Sequence, residues 1–321
     1  MTRTCHKGIR FSVLNKLWSA SLATRQIWPS PDQETESASQ DSASSPEWNI
    51  TIPRLLDLRS HTDFLGGHIP GSCVIPAAEI ESRIFELPPK WRQLILFSDD
   101  PAIAKETANN LFARGWTKVM PILDPIGKWT GPHLTGPATG MLWEATPIVT
   151  RWQRHLRPGR VLDLGCGSGR DSVTLSMMGG DVTAVDLLPD ALAMAEQLAD
   201  RMNVYIAPRL MDLRNQRPPV DEQFDTILMI RFLERPLIPW IVEILSPGGL
   251  LILEVFRQET KSPTKSPHSK KLESGEGIQL FTSSISTESG EQIAPLQILE
   301  YAECLDESGQ AVTRLVARKP S

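Results

Sequence analysis

The chain has 321 residues, of which 40% are hydrophobic, and a formal net charge of −5. This length favours about two domains, and no apolar run approaches the roughly 18–20 residues that a membrane-spanning helix needs. The negative charge argues against broad nucleic-acid binding, which normally requires a basic face. The four cysteines show neither a C-x-x-C pair nor zinc-like spacing, so we predict no metal site and no disulfide framework.

The first 48 residues differ from the rest of the chain. Five Lys or Arg residues and several Ser and Thr residues precede the first acidic residue, Asp32. This composition is typical of organellar transit peptides, and a disordered basic tail is the alternative. Residues 30–47 are polar and of low complexity, which predicts a flexible linker. We therefore expect residues 1–48 to be a disordered leader and linker, with import into the mitochondrial matrix or else a cytoplasmic location.

Residues 49–132 alternate short apolar segments with helix-like ones, which predicts an α/β unit with a parallel sheet. Strands are predicted at 52–58, 94–97 and 119–123, and helices at 80–87 and 102–114. Glycine and proline residues at 127–140 then interrupt regular structure, so the domain boundary is placed between residues 132 and 140.

This first unit resembles rhodanese-like domains. The similarity rests on residues 55–59 (Leu-Leu-Asp-Leu-Arg), 63–64 (Asp-Phe) and 67–71 (Gly-His-Ile-Pro-Gly). The resemblance implies that a cysteine thiolate after the central strand carries sulfur. At that position this chain has Ser98, followed by Asp99 and Asp100. A serine hydroxyl cannot form a persulfide, and two acidic residues repel an anionic sulfur donor. We therefore expect this domain to be inactive.

The second unit, residues 141–321, again alternates strands and helices. Strands are predicted at 160–164, 181–186, 204–207, 224–230 and 250–256, and a terminal antiparallel hairpin at 298–305 and 311–318. This order predicts an α/β fold with a mostly parallel sheet.

A glycine-rich turn follows the first strand of this unit: Asp163-Leu-Gly165-Cys-Gly167-Ser-Gly169. The three glycines allow a tight turn and close approach of the backbone to a ligand, and the helix that follows offers free N–H groups. Asp163, directly before the turn, suits a cationic or amine-bearing ligand better than a pyrophosphate. A tight turn without a ligand is the alternative interpretation of the glycine pattern alone.

Further polar residues lie at the predicted strand ends. Asp186, about 20 residues beyond the turn, stands where an acid commonly binds ribose hydroxyls. Asp212 follows the next strand and is a candidate acceptor for an adenine amine. Unpaired carboxylates are rarely buried, so three acids at neighbouring strand ends predict a cofactor site. Arg231 and Glu254, at the ends of the fourth and fifth strands, are the substrate-side candidates, with an ion pair as the alternative.

The second unit resembles class I S-adenosylmethionine-dependent methyltransferases, in particular the tellurite-resistance-type enzymes that act on small molecules. The similarity rests on residues 162–172 (Leu-Asp-Leu-Gly-Cys-Gly-Ser-Gly-Arg-Asp-Ser), 183–186 (Thr-Ala-Val-Asp), 235–237 (Arg-Pro-Leu) and 247–251 (Pro-Gly-Gly-Leu-Leu). It implies a Rossmann-like domain with S-adenosyl-L-methionine as cofactor. By that resemblance Asp163 and the glycines line the methionine end, Asp186 binds the ribose, and Asp212 faces the adenine.

The predicted function is therefore methyl transfer from S-adenosylmethionine to a small-molecule acceptor that the sequence does not identify. No catalytic residue is assigned, because the sulfonium already activates the methyl group and a base is needed only for some acceptors. A dinucleotide-dependent oxidoreductase would share the glycine turn and Asp186 but explains Asp163 less well. A non-catalytic scaffold is the other alternative. We expect no nucleic-acid or membrane partner, and the sequence does not indicate an oligomeric state.

Overall fold

The computed structural model describes residues 8–14, 54–138, 140–156, 159–217, 222–258, 270–283, 285–286 and 292–321. The chain divides between Trp143 and Glu144 into two compact units. The first unit extends beyond residue 132 because Leu142 is buried in its core. Among the described helices, none is both long and apolar enough to cross a membrane.

The first unit contains a parallel sheet of four strands in the order β2-β1-β3-β4. Its elements are β1 (Arg54–Asp57), α1 (His61–Gly66), β2 (Ser72–Val74), β3 (Leu94–Phe97), α2 (Pro101–Ala113) and β4 (Val119–Pro121). All four residues of β3 are buried, because both faces of a parallel sheet are covered. Side chains alternate across the sheet, so Leu94 and Leu96 pack in one core and Ile95 and Phe97 in the other.

The prediction of one helix at residues 80–87 is wrong. Two short 3-10 helices, Ala77–Glu79 and Ile84–Glu86, occupy this region instead. The Arg83 side chain lies between them and pairs with Glu79 and Glu86. Apolar periodicity alone does not distinguish such packed turns from one helix.

The N-terminal segment Gly8–Leu14 also differs from expectation, because it is folded against the first unit. The backbone N–H of Ile9 donates to the Pro121 carbonyl at 3.0 Å, and the Leu123 N–H donates to the Ile9 carbonyl at 2.9 Å. Phe11 and Leu14 are buried in the apolar core that contains Phe97. The expectation of disorder is therefore wrong for residues 8–14. The remainder of the predicted leader and linker lies outside the described residues.

The second unit contains a seven-stranded sheet in the order β12-β13-β9-β8-β5-β6-β7. Its elements are α3 (Pro147–Trp152), β5 (Arg160–Leu164), α4 (Arg170–Met177), β6 (Asp181–Asp186), α5 (Pro189–Arg201), β7 (Ala207–Leu210), β8 (Phe224–Ile230), α6 (Ile238–Ile244), β9 (Leu245–Phe256), α7 (Glu276–Thr282), β10 (Ile285–Ser286), β11 (Gln292–Ile293), β12 (Gln297–Leu305) and β13 (Ala311–Arg318).

Strands β5 to β9 of this sheet are parallel, and β13 and β12 complete it as the predicted antiparallel hairpin. The third strand begins at Ala207 rather than at residue 204, and the fifth begins at Leu245 rather than at residue 250. Carboxyl ends of parallel strands meet at one edge of a sheet, where open α/β folds bind ligands. The topology thus brings the ends of β5, β6, β7, β8 and β9 to one edge.

Candidate functional site

The glycine-rich turn lies between β5 and α4. Gly165, Gly167 and Gly169 have φ values of 74°, 55° and 76°, which side chains other than glycine rarely adopt. The N–H groups of Gly165 and Cys166 both donate to the Val185 carbonyl at 2.9 Å, which attaches the turn to β6. An added Cβ at Gly167 would meet no atom within 4 Å, so open space adjoins the middle of the turn.

Asp163 is buried at the end of β5 and accepts a hydrogen bond of 2.5 Å from the Ser172 hydroxyl of α4. Burial, together with the nearby charges of Asp171 and Asp186, raises the pKa of Asp163 to about 7. A cation placed beside this group would favour its ionised form. The buried acid therefore suits a positively charged ligand.

Asp186 ends β6 and reaches the same turn. Its Oδ2 accepts from the Gly167 N–H at 2.9 Å, and its Oδ1 accepts from the Leu188 N–H at 3.0 Å. One carboxylate thus connects the glycine turn with the loop that begins α5. Asp163 and Asp186 lie at the same sheet edge because β5 and β6 are adjacent and parallel, as predicted.

Asp171, in the first turn of α4, is a site residue that the sequence analysis did not single out. It accepts hydrogen bonds from the Thr146 N–H at 2.7 Å and the Thr146 hydroxyl at 2.8 Å. Burial raises its pKa, and the charge of Glu254 acts in the same direction. The sequence signal that could have identified Asp171 is its position in the first turn of the helix that follows the glycine turn. With Asp163 and Asp186 it makes this sheet edge acidic.

Asp212 follows β7 and remains at the predicted sheet edge, but its carboxylate is already engaged. Both of its oxygens accept from the Arg214 guanidinium at 2.8 Å, and Asn215 donates to Oδ2. These hydrogen bonds lower the pKa of Asp212 to about 2. Contact between Asp212 and an adenine amine stays a prediction.

Arg231 and Glu254 come together as an ion pair, which is the alternative left open from the sequence. Glu254 is fully buried, with Oε1 at 2.9 Å from Nη2 of Arg231 and Oε2 accepting from Nε of Arg314 at 2.5 Å. Nη2 of Arg231 also donates to Asp306 at 2.7 Å. Neither side chain is a free substrate group, because each charge is matched within this network.

In the first unit, Ser98 is buried directly after β3, where the resemblance places the sulfur-carrying cysteine. Asp100 caps α2 by accepting from the Ala102 N–H at 2.8 Å. Arg59 and Asp57 form a structural ion pair, in which Arg59 donates to Asp57 with both Nε and Nη2. Cys73 is buried, and burial raises the pKa of its thiol to about 11, which disfavours a thiolate.

Across the described residues, no group of three or more His, Cys, Asp or Glu side chains lies together in a way that could hold a metal ion.

The raised pKa of Asp163 predicts how stability depends on pH. Between the ordinary value of 3.8 and the folded value of about 7, the folded protein binds more protons than the unfolded chain. The free energy of unfolding should therefore fall as pH rises through this window and become level above it. Asp163→Asn should remove this part of the dependence. Urea unfolding at several pH values tests it, with exposed Asp181→Asn as control, and parallel profiles for wild type and Asp163→Asn would contradict it.

Comparisons with known proteins agree with this geometry. A family model described as tellurite resistance protein TehB matches residues 144–288, and a model described as rhodanese-like domain matches residues 39–129. These matches confirm both resemblances.

Three relatives illustrate the range of similarity. The uncharacterized protein UNK4.09 of Schizosaccharomyces pombe is 24% identical over 83% of this chain and 93% of its own length. The probable S-adenosyl-L-methionine-dependent methyltransferase TehB of Haemophilus influenzae is 34% identical over 27% of this chain. A ubiquinone biosynthesis O-methyltransferase of Azorhizobium caulinodans is 28% identical over 43%. The chain spans 31% of the length of the Haemophilus protein and 58% of the Azorhizobium protein.

Each matched segment lies within one of the two structural units, and the glycine turn and its acids lie within the second. Residues 144–288 therefore form a TehB-type S-adenosyl-L-methionine-dependent methyltransferase domain, which follows an N-terminal rhodanese-like domain.

Proposed function

We propose that the chain transfers a methyl group from S-adenosyl-L-methionine to a small-molecule acceptor. The observation that carries the proposal is the glycine turn, which has open space at Gly167 and is flanked by two carboxylates: Asp163 at the end of β5 and Asp186, which accepts from the Gly167 N–H. Relatives named for tellurite resistance and for ubiquinone biosynthesis support a small acceptor. Because these names indicate different acceptors, we propose only that the acceptor is a small molecule.

By their chemistry, the residues present suit the successive parts of the cofactor. Asp163 and the turn suit the methionine end, whose ammonium and sulfonium are positively charged. Asp186 suits the ribose hydroxyls, and the exposed side chains of Leu187 and Leu210 offer apolar surface to the adenine beside Asp212. The cofactor supplies an already activated methyl group, so the protein's task is to hold donor and acceptor in line and to exclude water.

The rhodanese-like domain is proposed to lack sulfurtransferase activity. Ser98 stands at the nucleophile position, and a serine cannot carry sulfur as a persulfide. The two following acids, Asp99 and Asp100, add negative charge where an anionic sulfur donor would approach.

Location in the mitochondrial matrix is proposed from the composition of residues 1–48, with a cytoplasmic location as the alternative. The burial of Phe11 and Leu14 restricts this proposal, because removal of the leader would take away part of a core. Import that leaves residues 8–14 attached is the form compatible with the packing.

The net charge of −5 supports a partner other than nucleic acid.

Titration calorimetry of the full chain with S-adenosylhomocysteine tests the cofactor assignment. We expect micromolar binding that Asp186→Ala weakens at least tenfold, which is about 1.4 kcal/mol. Asp181→Ala is the matched control, because it removes an exposed acid from the opposite end of the same strand. Thermal unfolding of each variant checks that the fold is retained, since Asp186 also accepts hydrogen bonds from the Gly167 and Leu188 N–H groups.

Three outcomes separate the candidate functions. Binding of S-adenosylhomocysteine that depends on Asp186 supports the methyltransferase and justifies a screen of small acceptors. Binding of NADH in its place would favour a dinucleotide-dependent oxidoreductase. A folded protein that binds neither molecule would contradict the proposal and favour a non-catalytic scaffold.

A further inference from the structure

The backbone is strained where the chain leaves β8. Arg231 has a φ of 57°, and in the described part of the chain only one other non-glycine residue, Asn203, has a positive φ. Such a conformation is unfavourable for a residue with a side chain, and it persists only where the surroundings hold it. Strain of this kind concentrates at functional sites.

Arg231 is held by its backbone and by its guanidinium, although its side chain is partly exposed. Its N–H donates to the Glu254 carbonyl at 2.7 Å, and its guanidinium pairs with the carboxylates of Glu254 and Asp306 at 2.9 and 2.7 Å. Both carboxylates are buried, and the guanidinium also lies 4.5 Å from the centre of the Phe256 ring. These contacts fix the direction in which the chain continues.

The next residue, Phe232, is thereby placed against the glycine turn. The register of β5 and β8 sets Asp163 beside Leu228, so the residues after both strands meet at one level. A Cβ added to Gly165 would lie 2.9 Å from Cδ2 of Phe232 and 3.1 Å from its Cγ. The phenyl ring therefore packs on the first glycine of the turn. Phe232 is half-buried, so part of its surface remains accessible.

We propose that Phe232 borders the sulfonium of the bound cofactor and discriminates S-adenosylmethionine from S-adenosylhomocysteine, with Arg231 as its positioning residue; this rests on the proposed function. The face of an aromatic ring attracts a cation, and the attraction grows when the cation is removed from water. The methyl donor carries a sulfonium charge that its demethylated product lacks. The carboxylate of Asp163 attracts the ammonium that both molecules share, whereas the ring adds a preference for the charged sulfur.

The ratio of two dissociation constants tests the proposal on the full chain. Calorimetry gives the constants for S-adenosylmethionine and S-adenosylhomocysteine in wild type, Phe232→Leu and Phe232→Tyr. In Phe232→Leu we expect S-adenosylmethionine to bind about fivefold or more weakly and S-adenosylhomocysteine to change by less than about twofold. Phe232→Tyr, which keeps an aromatic face, should restore the ratio. A merely structural role for Phe232 would weaken both ligands alike.

The positioning role of Arg231 is tested by the same ratio of dissociation constants. Arg231→Gln removes the charge that holds the strained turn and should change the ratio in the same direction as Phe232→Leu, while Arg231→Lys should restore part of it. A wild-type ratio in Phe232→Leu would overturn the inference alone. Tighter binding of both ligands by Phe232→Ala would also overturn it, because the ring would then be occupying the site. A folded wild type that binds neither ligand would refute the proposed function and this inference together.

Discussion

Replacing Gly169 by alanine is expected to lower the free energy of unfolding by about 2–5 kcal/mol. Two effects add: the φ of 76° is unfavourable for alanine by roughly 1–2 kcal/mol, and overpacking costs about 1–3 kcal/mol. The new Cβ would lie 2.5 Å from Cβ and 2.9 Å from Cα of Ala195, so α5 would have to move away from the turn.

Gly167→Ala is the matched comparison within the same turn. Its φ of 55° carries a similar conformational cost of roughly 1–2 kcal/mol, but an added Cβ meets no atom within 4 Å. This variant should remain folded and instead bind S-adenosylhomocysteine at least tenfold more weakly, because the methyl group enters the space proposed for the cofactor. Urea unfolding and calorimetry measure the two effects. Equal loss of stability in both variants would show that packing against Ala195 is not what requires Gly169.

Phe11→Ala is expected to destabilise the first unit by about 3–5 kcal/mol, the usual cost of removing a buried phenyl ring. Phe11 is 1% exposed, and its ring centre lies 5.7 Å from that of Trp129 and 6.2 Å from that of Phe97. Its N–H also donates to the buried carboxylate of Asp124 at 3.2 Å. Two residues further along, Val13 is 45% exposed, so Val13→Ala should change stability by less than about 0.5 kcal/mol.

The two units allow this effect to be assigned. S-adenosylhomocysteine should raise the unfolding temperature of the second unit only, since a ligand stabilises the unit that binds it. Scanning calorimetry of the full chain with and without the ligand identifies which transition belongs to which unit. Phe11→Ala should lower the ligand-independent transition and leave the other unchanged. If Phe11→Ala changes stability as little as Val13→Ala, the packing of residues 8–14 contributes nothing to the first unit. That result would favour the original prediction of a disordered leader.

The parts of the site that were predictable from the sequence are encoded within a few adjacent residues. The strand, turn and helix around Asp163 and Gly169 follow one another in the chain, so the spacing of the three glycines and the preceding acid identify them without tertiary information. Asp186 was predictable for a related reason: it ends the next strand, and consecutive parallel strands of such a sheet are adjacent.

The parts that were not predictable depend on contacts between distant residues. Thr146 and Asp171 are 25 positions apart, and Arg231 meets Asp306 across 75 positions. Whether Arg231 and Glu254 would be free or paired depended on where the hairpin of β12 and β13 brings Asp306 and Arg314. Asp212 is an exception to this rule, because its partner Arg214 is only two positions away. The position of its carboxylate was predictable, whereas its pairing with Arg214 depends on local side-chain geometry.

The pairing of Ile9 with β4 has a consequence during synthesis of the chain. Phe11 and its partner Asp124 are 113 positions apart, so residues 8–14 emerge from the ribosome long before the residues that they pack against. At ordinary elongation rates this interval is on the order of ten seconds. Throughout it, Phe11 and Leu14 are exposed apolar groups available to chaperones or to other nascent chains. We therefore expect the packing of residues 8–14 to be a late step in the folding of the first unit.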